Sequence, residues 1–307
     1  MTDASSSQRI LVSGASGLVG SALIPALEAR GHQVVKLVRS PASSSSAEAT
    51  WNPDADQIDL SRAGNIGAVV HLAGENVAQH WTPEVKRRIR DSRVEGTRLI
   101  SVALAKLSVP PKVLVCTSAT GFYGDRGEEW LDERSAPGHG FLADTCREWE
   151  AAADAACGRG IRVVHLRIGI VLTPKGGALA KMLPAFRLGI GGRLGDGQAY
   201  WSWIELNDLI KVILHALEKE SLQGPVNAVT PNPITNSTFT KTLGHVLRRP
   251  AVLPVPRFAL KLLFGEMARE AMLASFRVKP SRLLETGFQF RLAELEPALR
   301  HLLGRAK

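Results

Sequence analysis

The stretch RILVSGASGLVGSALIPALEARG, residues 9–31, decides the fold. Its first five residues are a short apolar run that a glycine ends. LVGSALIPALEARG then carries apolar residues at helical spacing until Gly31 stops it. Strand, glycine turn and helix in that order aim backbone N–H groups and a helix N-terminus at a pyrophosphate. The glycines at 14, 17 and 20 read G-x-x-G-x-x-G, not G-x-G-x-x-G. A glycine triplet alone is a weak signal, because turns need glycine anyway. Set directly after the first strand, it predicts a dinucleotide site.

Outward from this unit the pattern repeats. QVVKLVRS (33–40) predicts a second buried strand, and the Ser-rich PASSSSAEA (41–49) a mobile loop. GAVVHLAG (67–74) is a third strand, with 56–60 a weaker candidate before it. Thr82 as N-cap and Pro83 at the first helical position open a helix running to about Ala105. KVLVCTS (112–118) and IRVVHLRIGIVL (161–172) are further strands, separated by a helix that begins in HGFLADTCREWEAAA (139–153). Continuous Val/Ile/Leu strands alternating with helices indicate a parallel sheet covered on both faces. The expected fold class is therefore α/β, a Rossmann-type doubly wound parallel sheet. The pattern loosens after about Leu172, and from Arg248 short helices follow: RFALKLLFG, EMAREAMLAS and LAELEPALRHLL. We expect a nucleotide-binding domain over 9–235 and a small, mostly helical C-terminal domain over 248–303.

With 307 residues, 45% hydrophobic and 22% charged, the chain can bury a sizeable core and has ordinary globular composition. Cys116, Cys146 and Cys157 make no disulfide framework, which fits a reducing compartment. MTDASSSQ lacks the apolar centre of a secretory signal, and no apolar run is long enough to span a bilayer. A cytoplasmic location with no membrane partner is expected. The formal charge of +9 raises the question of nucleic acid, but the cations are spread along the chain. VKRRIRDSR puts Lys86, Arg90 and Arg93 near one side of a helix. They form either a solvated face or an attraction for a phosphorylated ligand. No zinc-finger spacing or aromatic-studded basic strand occurs, so no nucleic-acid partner is expected.

The residue after the second strand bears on which dinucleotide is bound. An acid roughly 20 positions beyond the glycine turn would bind the ribose 2′-hydroxyl and repel a 2′-phosphate. Here Arg39 stands there, between Val38 and Ser40. A fixed guanidinium pairs with the extra phosphate and stacks on adenine, so NADP(H) is expected over NAD(H). In HLAGEN (71–76), small Ala73 and Gly74 let the backbone approach a ligand above the strand ends. His71 reads as a packed strand-end residue, and the role of Glu75 stays open.

SGASGLVG, HLAGEN and TSATGFYGD, in this order, resemble the extended short-chain dehydrogenase/reductase superfamily, which includes nucleotide-sugar epimerases and dehydratases. The resemblance is closest to an atypical branch, the "epimerase family" proteins. SR-x-x-GT (Ser92, Arg93, Gly96, Thr97), RIGIVL (167–172), GGRLGDGQAYWSWIELND (191–208) and the tail LPVPRFALKLLFGEMAREAMLAS extend it over nearly the whole chain. It implies that Gly14, Ser16, Gly17, Leu18 and Val19 wrap the pyrophosphate and that Arg39 and Ser40 meet the 2′-phosphate. It also implies that Leu72, Ala73 and Gly74 line the ribose. Glu75 and Arg93 would reach toward the nicotinamide, with Arg167 beyond it.

Typical members pair a serine or threonine with a Tyr-x-x-x-Lys helix, whose tyrosine handles the substrate proton. The corresponding helix here reads Leu142-Ala-Asp-Thr-Cys146, with neither phenol nor ammonium and with Glu150 downstream. Ser118 and Thr120 both stand where the catalytic hydroxyl is expected. Tyr123 is either a displaced phenol or a substrate contact. Cys146 reads as packing, since a buried thiol's pKa rises. Trp201 and Trp203 share a face if their run is a strand, as an aromatic wall or as core. Arg193 and Gln198 are the polar candidates near them, and Arg269, Arg277 and Lys279 could reach an anionic substrate or lie solvated. Two functions remain open. One is an NADP(H)-dependent oxidoreductase or epimerase acting on a sugar-like or carbonyl small molecule. The other is a non-catalytic NADP(H)-binding redox sensor or scaffold. A homodimer is the assembly left open.

Overall fold

Ile10 and Val12 of the first strand, β1 (Arg9–Ser13), bury into one hydrophobic core, and Leu11 between them into a second. The split recurs in the middle of the sheet, where Val113 and Val115 join the first core and Leu114 and Cys116 the second. Alternate side chains leave a strand on opposite faces, so a strand covered on both sides must be apolar at every position. The uninterrupted runs in the sequence follow from that requirement.

The computed structural model describes residues 7–39 and 48–305. Ser40 and most of the Ser-rich segment expected to be a mobile loop lie outside the described residues. After β1 come α1 (Leu18–Glu28), β2 (Gln33–Val38), β3 (Glu48–Asn52), β4 (Gln57–Asp59) and β5 (Ala68–His71). Next are α2 (Pro83–Ala105), β6 (Val113–Ala119), β7 (Trp130–Leu131), α3 (Phe141–Ala151) and α4 (Asp154–Gly158). Then follow β8 (Arg162–Ile168), β9 (Ile170–Leu172), α5 (Gly177–Arg187), β10 (Tyr200–Trp201), β11 (Trp203–Glu205) and α6 (Leu206–Glu218). The last part holds β12 (Gly224–Ala228), β13 (Ile234–Thr235), α7 (Asn236–Leu247) and α8 (Arg257–Phe264). A π-helical turn at Ala268–Met272, β14 (Arg277–Val278), α9 (Ser281–Glu285) and α10 (Leu295–Leu302) complete it.

The large sheet has the order β12-β8-β6-β5-β1-β2-β3-β4, parallel throughout except that β4 runs against β3. Chain order runs one way from β1 through β2 and the other way through β5. That switch point opens a crevice at the carboxyl ends of the strands. The fold is the doubly wound Rossmann type. Thr82 accepts a hydrogen bond from the Val85 N–H and so caps α2, with Pro83 at its first position.

Three elements depart from the sequence expectation. β3 begins inside the segment expected to be loop, because Ala49 and Trp51 alternate inward onto the second core. IRVVHLRIGIVL breaks at Gly169: β8 stays in the large sheet while β9 leaves to pair with β11. Only glycine fits that bend, since a Cβ there would come within 2.4 Å of the Ser202 carbonyl oxygen. The C-terminal segment also contributes a strand, β14 pairing in parallel with β7.

The C-terminal segment closes over the crevice. Met267 packs with Trp81 and Ile89, and Phe141, Leu142 and Ala271 lean on the same cluster. Asp208, fully buried at the start of α6, accepts the backbone N–H groups of Arg291 and Leu292 at 3.0 and 2.9 Å. Among the described residues no helix is long and apolar enough to cross a membrane.

Candidate functional site

The turn after β1 is built against the end of β5. Gly14 has φ +67°, and a Cβ on it would lie 2.8 Å from the Ala73 backbone nitrogen. Its carbonyl accepts the Gly17 N–H at 3.0 Å and shapes the turn into α1. Gly17 caps α1 without a side-chain hydrogen bond, and no acid sits in the helix's first turn. The helix end thus keeps its positive dipole for an anion. Ser16, Gly17 and Leu18 line a cavity of about 620 Å³, which Lys175 joins from the other side. Val19 instead leans on the first core. Arg39, directly after β2, is exposed, and Ser40 lies outside the described residues. A backbone cradle, an uncapped helix start and a cation after the second strand are the parts a 2′-phosphorylated dinucleotide requires, and this chain has them.

His71 ends β5 fully buried, its Nδ1 against Ser13 Oγ and its ring edge on Trp51. Burial drives its pKa down to about 4, so it is a neutral packing residue. Glu75 sits beside the strand end with Oε1 accepting from Gln79 and its N–H donating to Ser92 Oγ.

Beyond Leu72, Ala73 and Gly74 lies a second cavity of about 370 Å³. Arg93 of α2, Ser118 and Thr120 around the end of β6, and Leu142, Thr145 and Cys146 of α3 all line it. Lys86 and Arg90, on the same helix as Arg93, are paired outside, with Glu266 and Glu148. Arg93 donates to the Ile89 carbonyl at 3.0 Å and lies 5.1 Å from the Trp149 ring centroid. Among the described residues it has no salt bridge. Burial lowers its pKa, outweighing the nearby Cys146 and Glu75. It remains a cation, as arginine does in proteins.

The two candidate hydroxyls differ. Ser118 Oγ donates to Glu150 Oε1 at 2.7 Å, which turns its proton away from the cavity. The Thr120 and Thr145 hydroxyls make no hydrogen bond among the described residues. Thr120 is therefore the better donor toward a ligand. Cys146 is buried, and desolvation pushes its thiol up to about 11.

Burial sets two of the expected site residues apart from the cavity. Tyr123 is fully buried behind the cavity wall, donating to Asn227 Oδ1 at 2.7 Å and accepting from Arg167 at 3.0 Å. Desolvation raises its pKa to about 12. Both hydrogen bonds of its hydroxyl lie inside the fold, and the side chain does not line the cavity. Arg167 does not line the cavity either. It grips both Glu150 oxygens at 2.8 Å and stacks 3.4 Å from the Phe122 centroid.

The other candidates scatter. Trp201 lines the cavity, whereas Trp203 is core, though both join the same hydrophobic cluster. Arg193 and Gln198 are exposed and do not line it. Arg269 lines a neighbouring cavity of about 450 Å³, Arg277 stacks on Trp130 and Tyr200, and Lys279 is exposed.

Residues 10–228 match the NAD dependent epimerase/dehydratase family. The chain belongs to that family. Residues 255–302 of this epimerase-family chain match a domain of unknown function, DUF1731. It is 42% identical to Epimerase family protein MT2273 of Mycobacterium tuberculosis, covering 92% of this chain and 93% of that one. The crystal structure of human epimerase family protein SDR39U1 with NADPH superposes at a TM-score of 0.86. It shares 34% identity, over 97% of this chain and all (100%) of that chain. UDP-N-acetylglucosamine 4-epimerase from Bacillus cereus, at 17% identity and a TM-score of 0.76 over 98% of this chain and 100% of that one, shares the fold.

Several cavity residues of this epimerase-family chain escaped the sequence reading. Thr145 lies in the quoted LADTC stretch, where only its neighbours were singled out. Ala271 and Phe276 come from the C-terminal segment and reach the cavity through tertiary packing, which leaves no local signal.

Proposed function

We propose that this chain is an NADP(H)-dependent oxidoreductase acting on a carbonyl group, with Thr120 and Arg93 in place of the missing Tyr-Lys pair. One observation carries the reading. The glycine cradle, Ala73–Gly74 and the cavity lined by Arg93 and Thr120 meet at the strand ends of β1, β5 and β6. The NADPH in the human SDR39U1 crystal structure supports the choice of coenzyme.

The amides of Gly14, Ser16, Gly17 and Leu18 would hold the pyrophosphate, with Val19 continuing the helix behind them. Arg39, with Ser40 beside it in sequence, would hold the 2′-phosphate. Leu72–Gly74 would admit the ribose, with Glu75 at the rim. When bound, the reduced nicotinamide supplies a hydride equivalent. Thr120 orients a carbonyl oxygen by donating a hydrogen bond, and Arg93 stabilises negative charge that develops on it. The mostly apolar wall lowers the local dielectric and strengthens both interactions.

The lack of a phenol at Leu142 and of an ammonium at Cys146 favours the second reading, an NADP(H)-binding sensor or scaffold without turnover. Calorimetric titration with NADPH, followed by a spectrophotometric carbonyl panel, separates the two. Binding with turnover that falls in Thr120→Val supports the enzyme. Binding without turnover of any member supports the sensor, and no binding rejects both.

A further inference from the structure

Resting on the coenzyme reading above, we infer that the cavity takes a flat, apolar conjugated carbonyl compound, an α,β-unsaturated ketone or aldehyde, and not a nucleotide sugar. Away from Arg93 and the threonines, its wall is mostly apolar, with Leu142, Ile170, Trp201, Ala271 and Phe276, and its two serines, Ser118 and Ser202, already donate to Glu150 and to the Phe276 carbonyl. A sugar ring there would bury several hydroxyls against few free partners, Arg93 and the Thr120 and Thr145 hydroxyls, at a cost for each one left unpaired. The wall offers few polar atoms. A single ligand oxygen, not a ring of hydroxyls, matches such a lining.

The chemistry of the lining narrows the class further. Reduction of an isolated ketone leaves a strongly basic alkoxide, which is why typical members of the superfamily keep a phenol in reach. Here the groups in reach are neutral threonine and serine hydroxyls, a buried thiol held protonated, and the fixed charge of Arg93. Such a site stabilises an anion well and protonates it poorly. A conjugated acceptor suits it, because its anion is a delocalised enolate.

The step balances. Two electrons and one hydrogen nucleus pass as hydride from the reduced nicotinamide to the β-carbon. The carbon–carbon π pair shifts to form the enolate, whose oxygen faces Arg93 and Thr120. Water then gives a proton to the α-carbon, and the carbonyl is restored. The products are the saturated carbonyl compound, oxidised nicotinamide and hydroxide.

The test uses the full chain and a matched pair, 4-phenylbut-3-en-2-one and its saturated counterpart 4-phenylbutan-2-one, with UDP-glucose as the third probe. Ligand-observed NMR measures binding without coenzyme, and absorbance follows NADPH consumption. Both ketones should bind, the enone alone should consume NADPH at least about 100-fold faster than the saturated ketone, and UDP-glucose should do neither. Arg93→Met at saturating NADPH should slow the enone reaction by about 100-fold with its binding retained. The inference is overturned if UDP-glucose binds, if the saturated ketone is reduced as fast as the enone, or if the enone is inert while NADPH binds normally. Absence of NADPH binding would instead reject the reading beneath it.

Discussion

Ser118 Oγ lies 2.7 Å from Glu150 Oε1, and the same carboxylate is held on both oxygens by the buried Arg167. The side chains of Arg167 and Glu150 are 4% and 13% exposed, so each charge depends on the other. Removing one partner of a buried pair strands the other. Glu150→Gln should therefore cost about 3–5 kcal/mol of stability. Ser118→Ala deletes one donor and should cost about 1 kcal/mol. Urea unfolding of both variants checks this; equal, small losses would contradict the pairing.

His71 gives the fold an acid limit. Its folded pKa, about 4, lies below the ordinary 6.5, because charging it means placing a cation in the core. The unfolded chain therefore binds more protons between these values. The contribution is present above pH 6.5 and is lost as pH falls toward 4, amounting to roughly 3 kcal/mol. Urea unfolding from pH 7 to pH 4.5 should show this loss in the native protein and a shallower one in His71→Gln. Parallel pH profiles would exclude His71 as the source.

Tyr123→Phe separates a structural phenol from a catalytic one. Losing the hydroxyl leaves Asn227 Oδ1 without its donor and frees one Arg167 N–H, which should cost about 1–3 kcal/mol. NADPH affinity and turnover per folded molecule should stay as in the native protein. A collapse of turnover with the fold intact would restore Tyr123 as the proton donor.

Gly14→Ala tests the cradle. The left-handed conformation costs a residue with a Cβ about 1–2 kcal/mol, and the new carbon would press on the Ala73 nitrogen. Calorimetry should show NADPH and NADH weakened alike, by roughly tenfold or more, because the pyrophosphate is common to both. Unchanged affinity would mean the dinucleotide binds elsewhere.

Local chemistry was readable ahead of the structure. β1, α1 and the capped start of α2 lie where apolar period, glycine and Thr82–Pro83 put them, because those signals act within a few residues. β3 was hidden by the Ser-rich run before it, and its inward Ala49 and Trp51 span too few positions to stand out. Tyr123 misled for a different reason. Its motif gives its place in the chain but not its direction, which Asn227 and Arg167 fix from distant strands. The choice between Ser118 and Thr120 likewise depended on Glu150, a turn deep in another element. The apolar cavity wall from the C-terminal segment had no local signature at all.

Selection of the 2′-phosphorylated coenzyme by Arg39 is decided by calorimetric titration of Arg39→Asp with NADPH and with NADH. The native protein should prefer NADPH, and the variant should lose NADPH affinity by about 100-fold, roughly the worth of a charge-assisted pair replaced by repulsion, while NADH affinity changes little. Equal loss for both coenzymes, or no preference in the native protein, would contradict it.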